Sequence, residues 1–128
     1  MVSREVAKPA GDIMAAADAG SGLFENLAID DPDLFGDFLA EAGAHLDRVD
    51  TALLELEVKP HARGLVDEIF RPVHSIKSAA AFLGLNEVER LAHETETLLD
   101  LVRRGHLGVS SAVIDALFAA FDLLRALP

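Results

Sequence analysis

Within the run Phe70–Gly84, FRPVHSIKSAAAFLG, a single histidine, His74, is set in a polar stripe on a helical pattern. Lys77 and Ser78 fall one turn on from it and Ala81 two turns on, so a cation and two small side chains border the imidazole. Val66, Ile69, Phe70, Val73, Ile76, Ala80 and Leu83 form one apolar face, and His74 lies just off it, which leaves the ring open to a partner. An exposed, neutral imidazole is a nucleophile through whichever ring nitrogen keeps its lone pair. A carboxylate that accepts a hydrogen bond from Nδ1–H fixes the tautomer and leaves Nε2 as that nucleophile. Glu96, on a later helix expected to run antiparallel to the first, is the best placed candidate.

The elements that position these residues are helices. Asp31 caps the first long one and Pro32 suits its first position, where a missing N–H costs nothing. It is expected to reach about Glu57, with Phe35, Phe38, Ala42, Leu46, Val49, Leu53 and Leu56 inward. The second is expected over about Leu65–Leu83, closed by Gly84. Pro72 lies inside it, where it deletes the bond to the Glu68 carbonyl and bends the axis. Asn86 followed by Glu89 is a capping signal for a third helix over about Glu87–Arg104, with Gly105 to end it. A fourth spans about Ser111–Ala126, with Phe121 among its inward residues. Four amphipathic helices with short turns imply an all-α, antiparallel four-helix bundle over 31–128. Residues 1–30 carry Pro9, Gly11, Gly20 and Gly22 and read as a poorly ordered or short-helical leader, with Asp12–Ala19 as its helical part.

Composition agrees. Hydrophobic residues make up 51% of 128, with no Tyr or Trp, a mixture that suits helices better than strands. A net charge of −11 argues against nucleic-acid and anionic-membrane binding, which need a cationic face. Without cysteine there is no disulfide framework, thiol nucleophile or zinc–thiolate site. No apolar run approaches the length of a membrane span, and no basic-then-apolar signal opens the chain, so a cytoplasmic location is expected.

The pattern His74-Ser75-Ile76-Lys77, the small residues that follow, Phe82 and Gly84 resemble the phosphoacceptor helix of histidine-containing phosphotransfer (HPt) domains. The version here is most like the N-terminal domain of CheA-type chemotaxis histidine kinases. The stretch LAHETETLLD, Leu91–Asp100, resembles that family's next helix, and the likeness covers roughly Asp31–Pro128. The resemblance implies that His74 is the phosphoacceptor, that Glu96 orients it, and that Lys77 offsets phosphoryl charge. His93 matches a frequent family histidine with a secondary polar role. Docking is expected at Ser78 and Ala81, and Phe70 and Phe82, best explained as core residues, could each reach the docking face. One departure is Ser78-Ala79, where many members carry two glycines.

The implied partners are a histidine kinase ATP-binding domain and the receiver domain of a response regulator. ATP and Mg²⁺ belong to those partners, so no cofactor or metal is expected in this domain, and it is expected to be a monomer. A full kinase of this type continues into further regions, so the chain reads as an isolated phosphotransfer protein or as a fragment. The domain would be a phosphoacceptor and not itself a catalyst. Two readings compete. A di-metal bundle wants Glu-x-x-His pairs, whereas Glu41 and His45 are four apart and His93 and Glu96 run in reverse order. A helical protein-interaction module without phosphotransfer has the same fold, but gives His74 and Lys77 no task.

Overall fold

Side chains at the helix ends set the architecture of the chain. In the computed structural model, which describes residues 4–19 and 31–127, the elements are α1 (Arg4–Ala19), α2 (Pro32–Val58), α3 (Arg63–Phe82), α4 (Asn86–Arg103) and α5 (Ser111–Arg125). Asp31 opens α2 as expected, its Oδ1 accepting from the N–H groups of Asp33 and Leu34 at 3.1 Å each. Ser110 caps α5 by accepting from the Val113 N–H at 3.3 Å.

Two glycines end the central helices in the same way. Gly84 has φ +72 and Gly105 has φ +77, the left-handed conformation that a side chain disfavours. Leu85 N–H then donates to the Ala80 carbonyl and Gly84 N–H to that of Ala81. His106 with Leu101, and Gly105 with Val102, repeat the pattern after α4. The start of α4 differs from the sequence expectation, because Asn86 is its first helical residue and Leu85 occupies the cap without a side-chain hydrogen bond. Leu85 is buried in the core, so packing rather than capping fixes where this helix begins. Helix α3 runs without interruption through Pro72, which is itself buried.

Helices α3 and α4 are antiparallel. Asp67 pairs with Arg103 near one end, while His74 and Lys77 meet Glu96 further along. Helix α2 packs on the other side of α3, and α5 closes against α2 and α4. Arg125 fastens α5 to α2, with Nη2 donating to the Leu46 carbonyl at 2.8 Å and to Asp50 at 2.5 Å. The inward stripes read for the first two long helices meet residues of α4 and α5 in one core that includes Phe38, Val49, Leu53, Ile69, Val73, Ile76, Leu98, Leu117 and Phe121. Its one buried polar side chain among the described residues, Thr95, donates to the Leu91 carbonyl. No described helix is long and apolar enough to cross a membrane.

The leader expected over residues 1–30 contains more structure than its composition suggested, while residues 1–3 and 20–30 lie outside the described residues. Helix α1 is 16 residues long, starts well before Asp12, and packs against α4 and α5. Pro9 does not break it, and Ile13 is fully buried in the common core. An apolar anchor against two other helices outweighs the local cost of proline and glycine. Ile13→Ala is therefore expected to lower the unfolding free energy by about 2–5 kcal/mol in a urea titration. An unchanged midpoint would show that α1 is not part of the cooperative unit.

Candidate functional site

Helix α3 places His74, Ser78 and Ala81 along one line of its surface, since four and seven residues bring the helix back to nearly the same direction. All three are exposed, and the His74 side chain keeps 55% of its surface open. The antiparallel register of α4 brings Glu96 to the ring. Its Oε2 lies 2.8 Å from His74 Nδ1, and its Oε1 accepts from Lys77 Nζ at 2.7 Å. One carboxylate on α4 thus holds two side chains of α3, one turn apart. With Nδ1 donating, the imidazole carries its proton there and the Nε2 lone pair remains available.

Only 16% of the Glu96 side chain is exposed. Burial by itself raises the carboxyl pKa, but the hydrogen bonds from Lys77 and His74, with the charge of each, outweigh it and hold Glu96 below the ordinary 4.5. The acid therefore stays ionised and able to accept from Nδ1–H. Glu94, two residues earlier and so on the opposite side of α4, facing α1, behaves oppositely. Burial first, then the charge and hydrogen bond of Asp12, raise it above the same ordinary value.

Phe70 is half-buried, and its ring lies nearly parallel to that of His74, at 9° with centroids 6.2 Å apart. The guanidinium carbon of Arg103, from the last turn of α4, sits 4.3 Å from the Phe70 centroid. The structure does not bring His93 to this group, for its ring is exposed on α4 and takes no part in the His74–Glu96–Lys77 network.

Phe82 departs from the core position that the sequence favoured, and stands instead on the open surface that was its alternative. It is 82% exposed. Two residues past buried Ala80 amounts to about 200° around a helix, so its ring points away from the apolar face. That angular offset was the signal available in the sequence. A groove also runs between α2 and α3. Beside Ser75 it is lined by His45, Arg48, Thr51, Glu68, Arg71 and Pro72, so two guanidinium groups and one carboxylate border it. No group of three or more His, Asp or Glu side chains among the described residues is arranged to hold a metal ion.

An exposed imidazole hydrogen-bonded to a mostly buried carboxylate on a neighbouring antiparallel helix is the arrangement expected of helical histidine phosphotransfer bundles. Comparison with known proteins agrees. The family model of the Hpt domain matches residues 33–127. Residues of this chain are 35% identical to the chemotaxis protein CheA of Treponema pallidum over 95 residues, covering 74% of this chain and 12% of that protein. The match to the Bacillus subtilis chemotaxis protein CheA is 38% over 88 residues, 69% of this chain and 13% of that one. Among solved structures, the CheA phosphotransferase domain of Thermotoga maritima superposes with a TM-score of 0.69 at 32% identity, covering 70% of this chain and 86% of that domain. The chain belongs to the Hpt domain family, and it spans about an eighth of the length of the curated relatives it matches.

The electrostatics set a pH dependence. A carboxyl held below its ordinary value adds stability that is fully present above 4.5 and is lost as pH falls through the lower folded value. Glu94, raised, contributes in the opposite sense, its stabilisation present below 4.5 and lost as pH rises through the higher value. Subtracting Glu96→Gln from wild type isolates the first effect. The difference in unfolding free energy, measured by urea titration, is expected to be largest near neutrality and to shrink as pH drops below 4.5. A difference that stays constant across that range would detach the Glu96 charge from folding.

Proposed function

We propose that this domain carries a phosphoryl group on His74 in a chemotaxis-type two-component relay. The donor is the ATP-binding domain of a histidine kinase, and the acceptor is an aspartate of a response-regulator receiver domain. The observation that carries this reading is the 2.8 Å contact between Glu96 and Nδ1 of an imidazole that is otherwise open to solvent. In the first step the Nε2 lone pair forms the N–P bond while the bond from the γ-phosphorus to the β-phosphate oxygen of ATP breaks, releasing ADP. The ring becomes positively charged as it is phosphorylated, and the Glu96 carboxylate facing Nδ1–H offsets that charge. In the second step the aspartate oxygen forms the new O–P bond, the N–P bond breaks, and the electron pair returns to Nε2.

Lys77 has three N–H donors, and Glu96 occupies one. The remaining donors are free to serve phosphoryl oxygens once the group arrives, so a single ammonium compensates the acid at rest and the phosphate afterwards. This chain needs no metal or cofactor of its own, since Mg²⁺ and ATP come with the partners. Docking uses Ser78 and Ala81, whose small size lets another domain approach the ring, with exposed Phe82 as an aromatic anchor at the end of the same helix. The domain acts as a monomer in the cytoplasm, through contacts small enough to release quickly.

Incubation with a histidine kinase catalytic domain and ATP labelled in the γ-phosphate tests the reading. Wild type is expected to take acid-labile, base-stable label and His74→Gln none. Glu96→Ala is expected to remain folded and to slow labelling by about 10- to 100-fold, the usual cost of losing a group that orients a histidine. Label that persists on His74→Gln moves the acceptor elsewhere, and no label from several competent kinases leaves a helical interaction module.

A further inference from the structure

A single hydrogen bond at Nδ1 anchors the His74 ring at one atom but does not fix the tilt of its plane. A second restraint is visible one turn earlier on α3. Phe70 lies nearly parallel to the imidazole, at 9° and 6.2 Å between centroids, the offset arrangement that aromatic rings favour. Phe70 is in turn held from α4, where the Arg103 guanidinium stands 4.3 Å from its centroid. Arg103 is itself anchored twice. Its Nη2 donates to Asp100 at 2.6 Å, and its Nη1 lies 3.8 Å from Asp67, the residue one turn before Phe70 on α3. A planar, delocalised guanidinium suits this combination, because it can stack on a ring while its edges serve carboxylates.

We infer that Arg103 is a positioning residue for His74, acting through Phe70. The guanidinium fixes the phenyl ring, the phenyl ring fixes the plane of the imidazole, and Glu96 fixes the position of Nδ1. Together they aim the Nε2 lone pair in one direction. Alignment of this kind matters for phosphoryl transfer, where attacking and leaving atoms must lie nearly in line and where small misplacements are costly. The inference rests on His74 being the phosphoacceptor. It gives Phe70 a task inside the site, in addition to the docking role expected from the sequence, and gives Arg103 one beyond complementing the α4 dipole.

The test pairs labelling kinetics with NMR of the His74 ring in Arg103→Gln, Phe70→Leu, the double variant and Phe70→Tyr. Arg103→Gln and Phe70→Leu are each expected to slow phosphorylation about fivefold, the scale of one stacking or cation–π contact. The double variant should be little slower than either alone, because both break one chain of contacts. Phe70→Tyr, which keeps the ring, should be faster than Phe70→Leu. In both single losses the carbon-bound protons of the imidazole should shift as the phenyl ring leaves or turns. A wild-type rate in Arg103→Gln, effects that multiply in the double variant, or unmoved His74 resonances overturn the inference. If wild type takes no label at all, the phosphotransfer reading falls, while the His74 resonances still decide whether Arg103 orients the ring.

Discussion

One carboxylate shared between two side chains of the neighbouring helix is the constraint on which the site depends. Glu96 has two oxygens, and each is committed, one to His74 and one to Lys77. A mostly buried carboxylate with only a neutral imidazole for company would be driven towards its protonated form, which donates rather than accepts and would favour the wrong tautomer of His74. Lys77 prevents that. The ion pair therefore does more for chemistry than for stability, since much of its attraction is spent on desolvating the two charges. Its product is a fixed imidazole tautomer on an exposed helix face.

Such an arrangement needs α3 and α4 to keep a single register. A one-residue rotation of α4 would turn Glu96 by about 100° away from the ring. The core supplies the lock, because Leu91, Ala92, Thr95, Leu98 and Leu99 of α4 are all buried, as are Ile69, Val73 and Ile76 of α3. The turn between the helices is short and closed by Gly84 in the left-handed conformation, so neither helix can slide without unpacking Leu85. Shape packing at the centre of the bundle is thereby converted into a hydrogen-bond distance at its surface.

What was legible in the sequence was whatever periodicity or local chemistry decides. Asp31, Gly84, Gly105 and the inward stripes of α2 and α3 stand where the pattern put them, as does Phe121 of α5. The pairing of His74 with Glu96 rested on two further things, antiparallel packing of consecutive helices and the family resemblance. Tertiary competition hid the rest. Asn86 looks like a cap, but Leu85 takes that position because the core has room for a leucine. Pro9 and Gly11 look like breakers, yet docking of Ile13 holds α1 together. Lys77 was expected beside the phosphoryl group, and its contact with Glu96 depends on a cross-helix distance that no local pattern encodes. The Arg103–Phe70 contact escaped for the same reason.

The proposed role sets opposing demands, for an imidazole that passes a phosphoryl group from one domain to another has to be rigidly placed and yet open to both. The bundle separates these demands by side. Rigidity comes from α4, which carries Glu96 and Arg103 and is packed by α3, α5 and α1. Openness comes from α3, whose outer line of His74, Ser78 and Ala81 bears no other described helix. Helix α1 matters in this light, because it adds its packing to α4 and α5 and leaves the reactive edge of α3 clear. An extra helix laid against α2 and α3 would have stabilised the fold equally well and buried the ring. Placing the added apolar surface behind the orienting helix stiffens the support of the histidine at no cost in access.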